Sequence, residues 1–156
     1  MKLQISTRIA IFAVVELAAA GRNHQLSVAD IGEKFEISNH HLAKVMNVLG
    51  RAGLVRSTRG AGGGYQFIGN AKRTTLLEVV QLFEDLSSER GPTTADTTPE
   101  GRVLGAILAE IDDIARATLG SITIATMQKL IERHANGERR RAKTAKPYGR
   151  AVTLSG

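Results

Sequence analysis

Cysteine is absent from this sequence, and its absence removes several kinds of chemistry at once. A chain of 156 residues with no cysteine has no disulfide, no thiolate metal site and no cysteine nucleophile. It also has no run that approaches the roughly 18 consecutive apolar residues of a membrane-spanning helix, so we expect no membrane span. Hydrophobic residues make up 42% of the chain, which is enough for a packed core.

The N-terminus superficially resembles a secretory signal, because Lys2 and Arg8 precede the apolar run 9–15. Glu16 interrupts that run, however, and the first apolar residues recur with helical spacing. These residues are Ile5, Ile9, Phe12 and Leu17. We therefore predict a structural helix here and a cytoplasmic protein.

Charge is distributed very unevenly along the chain. Residues 1–75 contain 10 basic and 4 acidic side chains, residues 76–135 contain 5 and 10, and residues 136–156 contain 6 and 1. The formal net charge is +6. A basic balance favours polyanionic partners, so the first block is where we expect nucleic acid to bind.

The first block contains three predicted helices. The first spans about 3–20 and ends at Gly21, and the second follows Ser27, a residue type that caps helix N-termini. The third spans about 39–52 after a second cap, Ser38, and the short break between the last two helices is typical of a helix-turn-helix.

A predicted β-hairpin follows directly. Residues 54–59 and 65–68 have strand-like composition, and the glycine-rich segment 60–64 joins them. Such a hairpin after the second helix of a helix-turn-helix is called a wing. The expected fold is therefore mostly α with a small β wing, that is, a winged helix-turn-helix domain.

The second half predicts helices of a different kind. A capping box at Thr75–Glu78 begins a helix to about Leu86, and Thr98-Pro99-Glu100 begins a long helix to about 119. A last short helix spans about 123–134. The predicted organisation is a DNA-binding domain over 1–86, a linker over 87–98, dimerisation helices over 99–136 and a disordered basic tail over 137–156. The long helix has an apolar face that we expect to pack on a second subunit; it comprises Leu104, Ile107, Leu108, Ile111, Ile114 and Ala115.

The candidate chemistry lies on the third helix and the wing. Asn39, His40, His41 and Lys44 fall off the apolar face of the helix, where amide, imidazole and ammonium groups can meet base edges or phosphates. Arg56 and Arg59 flank the hairpin, and an arginine there can reach phosphates or a narrow minor groove. The glycines 62–64 permit close approach of the wing backbone to a duplex.

Other kinds of site find little support in the sequence. His40 and His41 are adjacent and diverge on a helix, while His24 and His134 are isolated, so we predict no metal site. The glycine loop lacks the Lys-Ser/Thr of a phosphate-binding loop. Because no nucleophile, base and orienting group can be identified together, we do not predict an enzyme.

Three segments resemble the Rrf2 family of bacterial winged-helix regulators. They are the opening Met-Lys-Leu with its Ala- and Leu-rich helix, the run ISNHHLAKVM at 37–46, and AGLVRSTRGAGGGY at 52–65. The resemblance extends over about residues 1–134 and implies a homodimer in which the long helix crosses between subunits. It also implies DNA contacts at Ser38, His40, His41, Lys44, Arg59 and Gly60. With the residues chosen above, the full predicted DNA-binding set is Ser27, Ser38, Asn39, His40, His41, Lys44, Arg56, Thr58, Arg59, Gly60, Gly62 and Gly63.

One departure from the family pattern is informative. Members that bind an iron–sulfur cluster carry three cysteines in the linker and at the start of the long helix, where this chain reads RGPTTADTTPEG over 90–101. An acidic ligand that some members use would align near Arg8, which cannot bind a metal. We therefore expect no iron–sulfur cofactor, as in those family members that work without a cluster.

The sequence thus predicts a cluster-free, homodimeric transcriptional regulator that represses from a pseudo-palindromic site on double-stranded DNA. Two alternatives stay open: a winged-helix adaptor that docks on proteins, and a small-molecule sensor with a pocket between the winged domain and the long helix. An unknown small-molecule effector is compatible with the main prediction. The basic tail either adds phosphate attraction or only keeps the chain soluble.

Overall fold

The computed structural model describes residues 2–86 and 97–144. The described part of the chain forms helices, a two-stranded antiparallel sheet and the connections between them. The elements are α1 (Ile5–Ala20), α2 (Val28–Phe35), α3 (Asn39–Arg51), β1 (Val55–Thr58), β2 (Gly64–Phe67), α4 (Leu76–Val80), α5 (Pro99–Ser121) and α6 (Ile124–Thr144). This mostly helical fold with a small hairpin is the predicted one.

Helix α1 is the centre of the hydrophobic core. It packs against α3, α4, α6 and β2, so it is covered on several sides. Its buried residues are Thr7, Ile9, Ala10, Ile11, Ala13, Val14, Val15 and Leu17. The sequence predicts one apolar face, but a helix that is surrounded buries nearly its whole circumference. Ile5, assigned to that face, is instead 67% exposed.

Local hydrogen bonds define the helix-turn-helix of α2 and α3. Ser27 and Asp30 form a reciprocal capping box at the start of α2. The Ser38 hydroxyl accepts a hydrogen bond from the His41 backbone N–H at the start of α3. Between the helices Glu36 adopts a left-handed conformation with φ 55°. As the spacing predicts, α3 buries Leu42, Val45, Met46 and Leu49.

The hairpin of β1 and β2 is tied to both the core and the helix-turn-helix. Val55 pairs with Phe67, and both side chains are buried. Leu26 and Tyr65 exchange two backbone hydrogen bonds of 3.0 and 2.8 Å. The segment before α2 therefore pairs with β2 through an antiparallel bridge. The wing therefore cannot move freely with respect to α2.

Helix α4 is shorter than predicted. It ends at Val80 instead of Leu86, and the backbone N–H groups of Leu82 and Phe83 bond three residues back, to Val79 and Val80. This tightened turn brings Glu84 to the first turn of α1, where its carboxylate accepts hydrogen bonds from the Gln4 backbone N–H at 2.6 Å and from the Thr7 hydroxyl at 2.7 Å. Glu84 therefore caps α1 from a distant part of the chain.

The replacement Glu84→Gln is expected to lower the free energy of unfolding by about 1–2 kcal/mol at neutral pH, because α1 loses a charged cap. The hydroxyl of Thr7, and then the backbone of Gln4, hold the pKa of Glu84 below its ordinary value of 4.5. Because the pKa of Glu84 is lower in the folded state than in the unfolded state, the carboxylate stabilises the fold at pH values above its unfolded-state pKa. This stabilisation is lost as the pH falls through the folded-state pKa. Urea unfolding should therefore show the difference in stability at pH 7 and little of it well below pH 4. The control Glu33→Gln, at an exposed position of α2, should change the stability little at either pH.

Helix α6 is longer than predicted and removes part of the predicted disordered tail. It continues to Thr144, although the sequence predicted an end near His134 and disorder from residue 137. Gly137 costs a helix about 1 kcal/mol, but glutamate, arginine and alanine favour one and cations suit a helix C-terminus. His134 and Glu138 add a pair one turn apart, with nitrogen and oxygen 3.4 Å apart. Residues 145–156 of the tail and 87–96 of the predicted linker lie outside the described residues.

Candidate nucleic-acid interface

Helix α3 presents a polar face opposite its buried one. Because Leu42, Val45, Met46 and Leu49 enter the core, the helical repeat turns Asn39, His40 and Lys44 to solvent, and all three are exposed. The same face continues through Asn47 and Arg51, which are also exposed. A free helix face with amide and basic side chains can enter a major groove.

The wing presents a basic, glycine-rich tip. Thr58, Arg59 and Gly60 are exposed, and the Gly63 N–H closes a tight turn on the Gly60 carbonyl at 2.9 Å. Gly60 and Gly62 have φ angles of 106° and 76°, which favour glycine. A Cβ on Gly63 would lie 2.4 Å from the Thr58 carbonyl oxygen, so a side chain there would disturb the turn.

A groove of about 540 Å³ separates the polar face of α3 from the wing. It lies between α3 and the hairpin and is lined by Ala43, Met46, Asn47, Gly50, Arg51, Val55, Arg56, Ser57 and Tyr65. The Arg56 guanidinium donates a 3.1 Å hydrogen bond to the Gln66 side-chain oxygen across the hairpin, which restrains it. Of the predicted residues only Arg56 lines this groove. Asn47 and Arg51 were missed, although they follow Lys44 at three and seven residues, the spacing of one helix face.

Three further predicted DNA-binding residues have side-chain contacts within the domain. Ser27 and Ser38 cap α2 and α3 with their hydroxyls. The His41 ring lies on the side of α3 that faces α1, where its Nε2 is 3.2 Å from the Ser6 hydroxyl, and it is half-buried. The structure therefore groups Asn39, His40 and Lys44 on the open face of α3 and separates His41 from them.

The predicted dimerisation face is exposed in the protomer. Helix α5 has no buried residue, although it packs against α4. Its large apolar side chains are between 48% and 62% exposed; they are Val103, Leu104, Ile107, Leu108, Ile111 and Ile114, and Ala115 is half-buried. Leu130 and Ile131 of α6 are also about half exposed. A continuous apolar stripe of this length marks an interaction surface.

Two properties of the described residues bear on other kinds of site. None of the helices in 2–86 and 97–144 is both long and apolar enough to cross a membrane. Within the same ranges no three histidine, aspartate or glutamate side chains come together as metal ligands would.

Comparison with known proteins identifies the family. The Rrf2 family model, described as an iron-dependent transcriptional regulator, matches residues 3–130. BadM of Rhodopseudomonas palustris, named an HTH-type transcriptional regulator, is 46% identical over 132 residues, which cover 85% of this chain and 84% of BadM. IscR of Cereibacter sphaeroides is 36% identical over 87 residues, 54% of this chain and 56% of IscR.

Solved structures show the same fold. CymR, the global cysteine regulator of B. subtilis, superposes with a TM-score of 0.71 at 26% identity, covering 83% of this chain and 98% of CymR. IscR of T. potens superposes with a TM-score of 0.68 at 24% identity and 95% coverage of both chains, a likeness of fold.

An iron–sulfur cluster does not fit the residues of this chain. Iron–sulfur clusters are held mainly by cysteine thiolates, and the sequence contains none. The resemblance implies that the acidic ligand of some family members aligns near Arg8, and a guanidinium has no lone pair to donate. With its winged helix-turn-helix, its exposed long helix and its match over residues 3–130, the chain belongs to the Rrf2 family of transcriptional regulators.

Proposed function

We propose that this protein is a homodimeric, cytoplasmic repressor that binds a pseudo-palindromic operator without an iron–sulfur cluster. The observation that carries the proposal is the groove between α3 and the wing, where the polar face of one element meets the basic edge of the other. A recognition helix beside an arginine-bearing hairpin suits major-groove and minor-groove contacts at one half-site.

The side chains divide into two kinds of contact. Asn39, His40 and Asn47 carry groups that read base edges in the major groove, while Lys44 suits a guanine or a phosphate. Arg59 at the tip of the wing suits the neighbouring minor groove or backbone, and the N–H groups that begin α3 suit a phosphate. His41 is left as a positioning residue that connects α3 to α1 through Ser6.

The exposed apolar stripe on α5 supports the proposed dimer. One protomer presents one recognition helix, and a two-fold dimer presents two, so the expected operator has half-sites about one helical turn apart. Repression needs only that the bound dimer occupies the promoter. Expression of a reporter gene from a promoter that contains such an operator should fall when the protein is supplied.

Lys44→Ala and Arg59→Ala are each expected to weaken operator binding by about 1–3 kcal/mol, roughly 5- to 150-fold. Each of the two cations displaces counterions from DNA when it binds. Each replacement should therefore reduce the slope of log Kd against log salt concentration by about one. Fluorescence anisotropy over a salt series measures both quantities. Lys129→Ala, an exposed lysine on α6, is the control.

Two results would contradict the proposal. One is an affinity for duplex DNA that does not change with salt, which would favour the protein-docking alternative. The other is a footprint that shows no protected palindrome in any neighbouring promoter.

A further inference from the structure

A second cleft lies on the side of the helix-turn-helix that faces α1. It has a volume of about 260 Å³ and lies between the first turns of α1 and the turn that joins α2 to α3. Its lining is Ile5, Arg8, Ile9, Phe12, Phe35, Glu36, Ile37, Ser38 and His41, none of which lines the groove between α3 and the wing. The sequence had placed an effector pocket elsewhere, between the winged domain and the long helix.

Part of the cleft wall is apolar and held by aromatic stacking. The rings of Phe12 and Phe35 stack with their centroids 5.1 Å apart and their planes 17° apart, which joins α1 to α2. Ile9 is buried beside them, whereas Ile5 is 67% exposed at the same cleft. A ligand with an alkyl group would cover the exposed side chain of Ile5 and remove apolar surface from water, which favours binding.

Two opposite charges line this cleft without neutralising each other. Neither Arg8 nor Glu36 forms an ion pair or a side-chain hydrogen bond within the described part of the chain. An arginine guanidinium can hold a carboxylate through two parallel hydrogen bonds. An anionic group with an apolar body is therefore the chemical complement of Arg8 and the apolar walls.

We propose that this cleft binds a small carboxylate with a branched aliphatic body, the carboxylate on Arg8 and the alkyl group against Ile5, Ile9 and Phe12. The volume lies just below the range of drug-sized pockets, about 300–1,000 Å³, which limits the ligand to about the size of an amino acid. A ligand with so few atoms binds with a Kd of roughly 0.1–1 mM. An α-amino acid would also bring an ammonium group to Glu36, whereas a simple fatty acid would not.

The position of the cleft connects it to α3. Ser38 caps α3, His41 belongs to its first turn, and both line the cleft. The 3.2 Å contact between His41 Nε2 and the Ser6 hydroxyl holds this end of α3 against α1. A ligand between these elements changes how α3 is held, so it changes DNA affinity; this last step rests on the proposed function.

The test uses the full chain without DNA, followed by ¹H–¹⁵N NMR. The probes are 4-methylpentanoate, L-leucine and the neutral isostere 4-methylpentanamide. We expect the two acids to shift backbone signals around the cleft and the amide to have at least 10-fold weaker effects, because it lacks the charge that pairs with Arg8. Arg8→Gln should abolish the shifts from both acids, and since Arg8 is exposed the variant should fold. Ile5→Ser should weaken both from the apolar side.

The replacement Glu36→Gln distinguishes an α-amino acid from a simple carboxylic acid as the ligand. A loss of leucine binding alone assigns the amino acid, and a gain for both acids assigns the simple carboxylate. The proposal is overturned if neither acid shifts the cleft signals at millimolar concentration, or if Arg8→Gln binds them equally well. Operator binding is measured separately, so a ligand that binds without changing DNA affinity removes only the coupling, and a failure to bind DNA leaves the cleft result intact.

Discussion

The double replacement Ile107→Asp and Ile111→Asp is expected to convert the proposed dimer into monomers and to abolish operator binding. Both side chains are more than half exposed in the protomer and lie one turn apart on the stripe of α5. Burial of one isoleucine contributes about 1.5–3 kcal/mol, and two-fold symmetry uses each residue twice. Because each side chain is already about half covered in the protomer, the loss amounts to about 3–6 kcal/mol, roughly a 10²- to 10⁴-fold rise in the dimer dissociation constant.

Sedimentation velocity and DNA binding together measure this effect. The fold of the protomer should survive, because no residue of α5 is buried in it, and circular dichroism checks that point. Ala117→Asp is the matched control, since it adds a charge to α5 on the side of Glu110 and Asp113. A double variant that still sediments as a dimer would mean that another surface joins the subunits.

Gly32→Ala is the second replacement with a large expected effect. A Cβ at this position in α2 would lie 2.7 Å from the Asn39 side-chain oxygen and 2.8 Å from the Ile37 carbonyl oxygen. The second of these is backbone, so the turn between α2 and α3 has to open. We expect a loss of about 1–3 kcal/mol in the free energy of unfolding and at least a 10-fold loss of operator affinity.

Gly50→Ala is the matched control for this glycine. It lies inside α3, and its Cβ would meet only the Val55 carbonyl oxygen at 3.9 Å, an ordinary contact. Alanine favours a helix over glycine, so this variant should gain about 0.5–1 kcal/mol. Urea unfolding of both variants measures the two signs. Equal stability of Gly32→Ala and the unsubstituted protein would show that the turn adjusts without cost.

Short-range features of the interface could be predicted from the sequence. The caps at Ser27 and Ser38 depend on residues three positions away, and the two faces of α3 depend on a period of 3.6 residues. The polar face could have been extended to Asn47 and Arg51 by the same rule. The position of His41 could not, because its contact with Ser6 joins residues 35 positions apart.

The sequence by itself determined the order of elements, the winged helix-turn-helix, the apolar face of the long helix and the absence of thiolate ligands, because each depends on composition or on near neighbours. The tertiary structure decided which sides of α1 are buried, how far α4 extends and which carboxylate caps α1. Glu84 reaches Gln4 and Thr7 across about half the chain, and the cleft at Arg8 exists only where α1 meets the turn before α3. Such contacts depend on how helices pack in space, which no local pattern of residues encodes.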